Sequence, residues 1–128
     1  DASQVHIAHQ QISAPEISGD LDQGIEIILS LGPKALIVKR GSDGATVHLK
    51  DGSVITVPGF PVEVVNVLGA GDAFASGFIY GHLKGWDWYK AARMGNASGA
   101  IVVTRHGCAN FMPFEDEALK FVEDHGGF

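Results

Sequence analysis

Hydrophobic positions in the first third of the chain predict one helix and one buried strand. Residues 21–29 place apolar side chains at the i, i+4, i+7 and i+8 positions of one helical face, and Ser18 or Asp20 would cap that helix. The continuous apolar run 35–39 is typical of a strand buried on both faces. Residues 1–15 are mostly polar, and we expect a mobile or partly helical lead-in there.

The middle of the chain alternates short extended segments with turn signals. Residues 41–44 predict a turn. Residues 45–49 and 53–57 predict two paired strands, because the Asp-Gly pair at 51–52 favours a two-residue hairpin. After an irregular connector, residues 62–67 predict a further strand.

The last half of the chain predicts three helices. The first begins after the turn 69–72 and ends at Gly85, Asp87 caps the second, and Pro113 opens the third. Periodicity leaves open whether residues 101–104 end the second helix or begin a strand. We expect Phe74, Ala75, Phe78, Ile79 and Leu83 to face inward from the first helix, and Ala91, Ala92, Ala97 and Ala100 to permit close packing of the second.

Composition and charge exclude several classes of protein. Hydrophobic residues make up 45% of the 128 residues and charged residues 19%, which excludes an intrinsically disordered chain. The net charge of −6, without a basic stripe, excludes nucleic acid and anionic membrane surfaces as partners. The single cysteine, Cys108, cannot form an internal disulfide, so we expect a reducing, cytoplasmic setting.

The order of elements indicates one α/β domain, residues 1–128, that lacks part of its cover. A sheet with a strand that is apolar on both faces needs more helices than this chain predicts. The chain would therefore self-associate as a homo-oligomer through its open sheet edge, or be the carboxy-terminal part of a larger fold.

The segment 66–74 carries the strongest chemical signal. Two glycines one residue apart, Gly69 and Gly71, turn an extended segment into a helix. The amides of Gly69, Ala70, Gly71 and Asp72 would be unpaired at the helix start and could converge on an anion. Asp72 would repel a phosphate, but it could take a proton from a hydroxyl nucleophile while the amides hold the transferred group. The alternative is that Asp72 only caps the helix.

The Gly-Ala-Gly-Asp sequence at this junction resembles the second signature of the ribokinase-like carbohydrate kinases. Three further segments are similar to that family. Residues 38–44 resemble its glycine-containing nucleotide loop, residues 96–100 its adenine-side helix, and residues 104–107 the loop that closes the nucleotide site. No Gly-Lys-Ser/Thr run of a P-loop and no dinucleotide fingerprint competes with this resemblance.

The resemblance implies a three-layer α/β/α fold and ATP-dependent phosphorylation of a primary hydroxyl on a sugar or sugar acid, with Mg²⁺ bound through the phosphates. Asp72 would be the general base, and Gly69, Ala70 and Gly71 the anion hole. Independently of the family, Lys39-Arg40 ends a buried strand before a glycine turn, where a phosphate would bind, unless both charges are simply solvated. The nucleotide-binding positions that the resemblance implies are Lys39, Gly41, Ser42, Gly44, Asn96, Ala100 and Gly107.

One of these positions has a structural alternative, since an asparagine in the middle of a helix, such as Asn96, often only hydrogen-bonds a neighbouring element. Asn66 and Leu68 stand where family members with a monovalent-cation site usually carry Asp and Thr. Asn66 would be a remnant of that site, so we expect no strong potassium dependence. The counterpart of the family's Asn-x-x-Glu magnesium motif is residues 1–4, in which Gln4 replaces the Glu.

Members of this family are more than twice as long as this chain. The resemblance therefore implies the carboxy-terminal, nucleotide-binding part alone, without the lid and the sugar-binding half. A part that cannot exclude water would bind nucleotide but transfer phosphate weakly or not at all. The alternative is a non-catalytic nucleotide-binding or assembly module.

Overall fold

A four-stranded sheet with helices on both faces makes up the part of the chain that the computed structural model describes, residues 5–9, 18–107 and 109–128. The strands are β1 (Val5–His9), β2 (Ala35–Lys39), β3 (Ala45–Leu49) and β4 (Val54–Val57). The helices are α1 (Ser18–Ser30), α2 (Ala70–Leu83), α3 (Trp88–Val103) and α4 (Glu115–Asp124), with short 3₁₀ turns at Gly41–Asp43 and Ala109–Phe111.

The strands lie in the order β1-β2-β3-β4. β1 pairs parallel with β2, with Val5 opposite Ala35, so the prediction of a lead-in without a strand is wrong for residues 5–9. The strand has only five residues, two of which are histidines, so its pattern is a weak signal. Its partner β2 begins 30 residues further along the chain. β2, β3 and β4 pair antiparallel, which confirms the predicted hairpin.

The hairpin turn is one residue longer than predicted. The Leu49 amide donates to the Ser53 carbonyl at 2.9 Å, so residues 50–52 form the loop. Gly52 has a φ of 89°, and the Asp51 carboxylate accepts the Ser53 amide at 2.8 Å. A three-residue loop with glycine in the left-handed region matches the right-handed twist of the two strands.

The two faces of β2 are covered by different helices, as a strand buried on both faces requires. Leu36 and Val38 pack against Ile25 of α1 on one face. Ile37 packs with Phe78 of α2 and with alanines of α3 on the other. This arrangement gives three layers, α1, the sheet, and the α2–α3 pair.

Close contact between α2 and α3 decides which face of α2 is buried. A Cβ at Gly81 would lie 2.9 Å from Cα of Ala91, and one at Gly95 would lie 2.9 Å from the Phe74 ring. Phe74 and Phe78 are buried as predicted, but Ile79 and Leu83 are 41% and 73% exposed, so that part of the prediction is wrong. The small residues of α2 face α3, which turns these two apolar side chains outward.

Three boundary predictions need correction. Ser18 and Asp20 both lie inside α1, and α4 begins two residues after Pro113. Residues 62–67 form no strand. The amides of Val65 and Asn66 both donate to the carbonyl of Val103, which ties this irregular segment to the end of α3.

Asp87 caps α3 as predicted, because its carboxylate accepts the Lys90 amide at 2.8 Å. α3 continues to Val103, so residues 101–103 end a helix and form no strand. None of the described helices is long and apolar enough to cross a membrane.

Candidate active site

The turn before α2 presents backbone amides at a helix start. Gly69 is the N-cap of α2 and has a φ of 85°. Residues other than glycine rarely adopt this left-handed backbone conformation. The Ala70 amide donates to the Val67 carbonyl at 3.2 Å, so the prediction that this amide is unpaired is wrong. Among the described residues, the amides of Gly69, Gly71 and Asp72 donate to no carbonyl. These three remain available to an anion at the positive end of the α2 dipole.

Asp72 is an exposed carboxylate in the first turn of α2. The N-cap of this helix is Gly69 and no side chain caps it, so the alternative that Asp72 only caps the helix is wrong. No described cation lies within ion-pair distance of its carboxylate. Asp72 therefore lies in the first turn of α2 without a described cation partner.

Lys39 and Gly71 are in contact. A Cβ added at Gly71 would lie 2.8 Å from Nζ of Lys39, and that nitrogen lies 6.0 Å from the centroid of the Phe74 ring. Lys39 is half-buried, and no described carboxylate forms an ion pair with it, whereas Arg40 is exposed. The structure thus brings the last residue of β2 to the glycine turn of α2, next to Gly71, whose amide donates to no described carbonyl.

The glycine loop, residues 41–44, lies directly after Lys39. Gly41 and Gly44 have φ angles of 58° and 93°, and the Arg40 amide donates to the Gly44 carbonyl at 2.8 Å, which closes the loop. Gly41 and Ser42 are exposed, but Gly44 is buried, and a Cβ there would overlap the carbonyl oxygen of Val57.

Gly59 also contacts the glycine loop, and the sequence did not predict this contact. A Cβ at Gly59 would overlap the carbonyl oxygen of Ser42, so the two backbones are in direct contact. The only sequence signal was a glycine between two prolines in a connector, which does not indicate a partner.

Asn96 lies buried on α3 behind the glycine loop. Its side-chain nitrogen donates to the carbonyls of Val57 and Pro58, at 3.2 and 3.0 Å. Asn96 thus hydrogen-bonds a neighbouring element, as the alternative to a nucleotide contact predicted. That Asn96 also contacts a nucleotide stays a prediction.

The remaining predicted positions lie along α3 and beyond its end. Ala100 is buried with Phe60 and Val122. The neighbouring Gly99 approaches the turn of α2, since a Cβ there would lie 3.3 Å from the Ala70 carbonyl oxygen. Gly107 lies past the end of α3, where a Cβ would overlap the Phe111 ring. The structure brings Lys39, which directly precedes the glycine loop, to the turn of α2.

Among the described residues, no group of three or more His, Cys, Asp or Glu side chains could hold a metal ion. The amide oxygen of Asn66 accepts the Leu68 amide at 2.9 Å, so this side chain is used in the turn. Residues 1–4, the predicted counterpart of the magnesium motif, and Cys108 lie outside the described residues.

A groove between α2 and the start of α4 is separate from these residues. Ser76, Tyr80, Met94 and Phe114 are among the residues that line it, and none of the predicted site residues does. Its one carboxylate, Glu115, accepts a hydrogen bond from the Tyr80 hydroxyl, which raises the pKa of that hydroxyl.

Comparison with known proteins agrees with the fold. The sequence profile of the pfkB family of carbohydrate kinases matches residues 6–115. The chain is 39% identical over 117 residues to 5-dehydro-2-deoxygluconokinase of Clostridium tetani, in an alignment that covers 88% of this chain and 34% of the relative.

Solved structures give the same assignment. Ribokinase II from Escherichia coli in complex with ATP and Mg²⁺ has a TM-score of 0.80 and 30% identity, over 95% of this chain and 40% of that one. A nucleoside kinase from Burkholderia thailandensis in complex with inosine has a TM-score of 0.78 and 27% identity, over 98% of this chain and 41% of that one.

The chain therefore belongs to the pfkB family of carbohydrate kinases, and its fold is the predicted ribokinase-like α/β fold. Within that family, the chain is similar to enzymes named 5-dehydro-2-deoxygluconokinase, and it spans about a third of the length of these curated relatives.

Proposed function

We propose that this chain is the carboxy-terminal, nucleotide-binding part of a kinase that transfers a phosphoryl group from ATP to a primary hydroxyl of a sugar acid. The observation that carries the proposal is the contact between the Lys39 ammonium and Gly71, at the turn that precedes Asp72. A half-buried cation without a described carboxylate partner, beside unpaired amides at a helix start, fits the charge of a triphosphate.

In the proposed reaction, Asp72 takes the proton of the substrate hydroxyl, whose oxygen attacks the γ-phosphorus of ATP. The bond from that phosphorus to the bridging oxygen breaks, and ADP leaves with the electron pair. The amides of Gly69 and Gly71 and the Lys39 ammonium hold the charge on the transferred group. Mg²⁺ would enter bound to the phosphate oxygens of ATP and would offset part of their negative charge.

We infer 5-dehydro-2-deoxygluconate as the substrate. Curated relatives at 39 and 40% identity carry that activity in their names, and residues 62–74 with 105–108 resemble the same enzyme. 2-Keto-3-deoxygluconate and fructose are the alternatives, because the residues that would distinguish these substrates are absent from this chain. A cytoplasmic location and self-association through the β1 edge are part of the same proposal.

The thermal unfolding midpoint of this chain, with and without millimolar MgATP, tests the proposal. A ligand that binds only the folded state raises the free energy of unfolding, by about 2.7 kcal/mol at a ligand concentration of a hundred times Kd. The unfolding midpoint rises with it. We expect a concentration-dependent rise with MgATP and a smaller one with inorganic tripolyphosphate, which offers the phosphate charge without the adenosine. No rise with MgATP would show that the chain does not bind nucleotide by itself.

The role of Asp72 is tested in the whole protein with Asp72→Asn. We expect phosphoryl transfer to be lost while MgATP binding is kept, since the carboxylate repels phosphate and is not needed to hold it. Glu26→Gln, an exposed carboxylate on α1, is the control. Transfer that survives in Asp72→Asn would contradict the general-base role.

A non-catalytic nucleotide-binding or assembly module is the second candidate, because the chain spans only about a third of its curated relatives. In that case MgATP would raise the midpoint, but Asp72→Asn would change no activity of the whole protein.

A further inference from the structure

Arg93 is a buried cation whose hydrogen-bond partners are all backbone carbonyls. Its guanidinium donates to the carbonyls of Pro58, Gly127 and His125 at 3.0, 3.2 and 3.5 Å, and lies 3.8 Å from the centroid of the Phe60 ring. None of the described carboxylates forms an ion pair with it. A planar guanidinium with several donors can hold several backbone groups at once, which a single ammonium cannot.

Asn96, one helical turn along α3, holds the same strand end. Arg93 and Asn96 together donate to the carbonyls of Val57 and Pro58, and both side chains are 8% exposed. We call this pair the α3 latch. The latch holds the chain where β4 ends.

The backbone that the latch holds is the surface on which the glycine loop rests. A Cβ at Gly44 would overlap the Val57 carbonyl oxygen and lie 2.5 Å from the Gly59 nitrogen, and a Cβ at Gly59 would overlap the Ser42 carbonyl oxygen. The peptide between Pro58 and Gly59 thus lies between the α3 latch on one side and the glycine loop on the other. A shift of this peptide toward the loop would displace the loop, because the two backbones leave no room even for a Cβ between them.

We propose that Arg93 is a positioning residue for nucleotide binding. It holds the backbone of residues 57–59 in the place on which the glycine loop, residues 41–44, depends, and it does not itself touch the nucleotide. The identity of the ligand rests on the proposed function, but the effect on the loop does not.

Amide hydrogen exchange measures the loop directly. The amides of Arg40 and Gly44 donate to the carbonyls of Gly44 and Gly41, so their exchange rates report whether the loop is closed. In Arg93→Met we expect both amides to exchange about tenfold faster, because the loop opens locally more often. Ile25→Ala, which makes a cavity on the α1 side of the sheet, is the control for general loss of stability.

Binding of MgATP is the second measurement, made at a temperature at which circular dichroism shows every variant folded. We expect Arg93→Met to bind about tenfold more weakly, and Arg93→Lys to fall between it and the unmodified chain. Ile25→Ala should bind as the unmodified chain does. If Arg93→Met does not fold, Arg93→Lys gives both measurements.

The outcomes separate this proposal from the proposed function. If the unmodified chain binds no MgATP, the exchange rates still decide, and faster exchange of Arg40 and Gly44 in the Arg93 variants alone supports positioning. Exchange that changes no more than in Ile25→Ala would overturn it. Unchanged MgATP affinity in a chain that does bind would overturn it as well.

Discussion

Nζ of Lys39 lies so close to Gly71 that a Cβ on that glycine would be 2.8 Å from it. Lys39 ends β2 and Gly71 is the second residue of α2, and the Lys39 ammonium lies where a side chain on Gly71 would begin. Glycine at position 71 therefore has a function apart from backbone freedom, because its φ is not in the left-handed region. It leaves room for a cation at the start of a helix.

Gly71→Ala separates this role from folding. An alanine in the first turn of α2 should leave the free energy of unfolding unchanged or raise it by less than about 1 kcal/mol. It should also weaken MgATP binding by about tenfold, because the methyl group displaces the Lys39 ammonium. Urea unfolding and titration calorimetry measure the two effects.

The matched control is Gly24→Ala on α1, where a Cβ would meet nothing within 4 Å. It should have the same small effect on stability and none on MgATP affinity. Equal affinity in both variants would contradict the role of Gly71.

Lys39→Met tests the charge itself. Methionine keeps most of the apolar stem of lysine but removes the ammonium, and a charge-assisted hydrogen bond to phosphate is worth about 1.5 to 3 kcal/mol. We expect MgATP affinity to fall by tenfold or more, with little change in the unfolding midpoint. Lys34→Met, an exposed lysine just before β2, should leave affinity unchanged. A similar loss of affinity in both variants would show that the Lys39 charge acts only at long range and does not contact the phosphates.

Gly44→Ala should destabilise the chain more than Gly52→Ala does. Both glycines have a positive φ, 93° and 89°, so alanine is strained at both positions. The ψ of −130° at Gly44 also lies outside the left-handed helical region. Only Gly44 is packed against another backbone, which adds about 1 to 3 kcal/mol of overlap. Urea unfolding gives the difference, and equal losses would show that residues 57–59 can move away from the loop.

Stability should fall as the pH falls through the ordinary pKa of histidine, and His48 should contribute to the fall. Burial lowers the pKa of His48 below its ordinary value of 6.5, and Arg40 adds to this, while Asp22 opposes it. The unfolded chain therefore binds the proton more readily than the folded chain between that value and the lower folded pKa.

The free energy of unfolding should thus decrease on going from pH 7.5 to 5.5, and less steeply in His48→Gln. Urea unfolding at several pH values measures this change. The difference between the two proteins at pH 7.5 gives the effect of the substitution apart from protonation. Equal slopes in the two proteins would contradict the contribution of His48.

The local elements were predictable because their signals lie within a few residues of one another. The spacing 21–29 gave α1, the apolar run 35–39 gave β2, and Asp51-Gly52 gave the hairpin. The Gly-Ala-Gly-Asp turn and its helix were equally clear. The family resemblance rested on that turn and on three other short segments, and the family is confirmed.

Other elements depended on partners elsewhere in the chain. β1 forms because it pairs in parallel with the edge of β2. Residues 62–67 form no strand because the amides of Val65 and Asn66 donate to the Val103 carbonyl at the end of α3. Ile79 and Leu83 point outward because the glycines of α2 pack on α3. Apolar periodicity indicates that a helix has a buried face, but the neighbour decides which face that is.

The sequence by itself thus determined the class of fold, the helix that carries Asp72 and the glycines that start it. Only the tertiary structure decided that Lys39 reaches Gly71 and that Arg93 and Asn96 hold the backbone behind the glycine loop. The physical reason is that turns and helices form from neighbouring residues, whereas a binding site forms from groups that packing brings together across the chain.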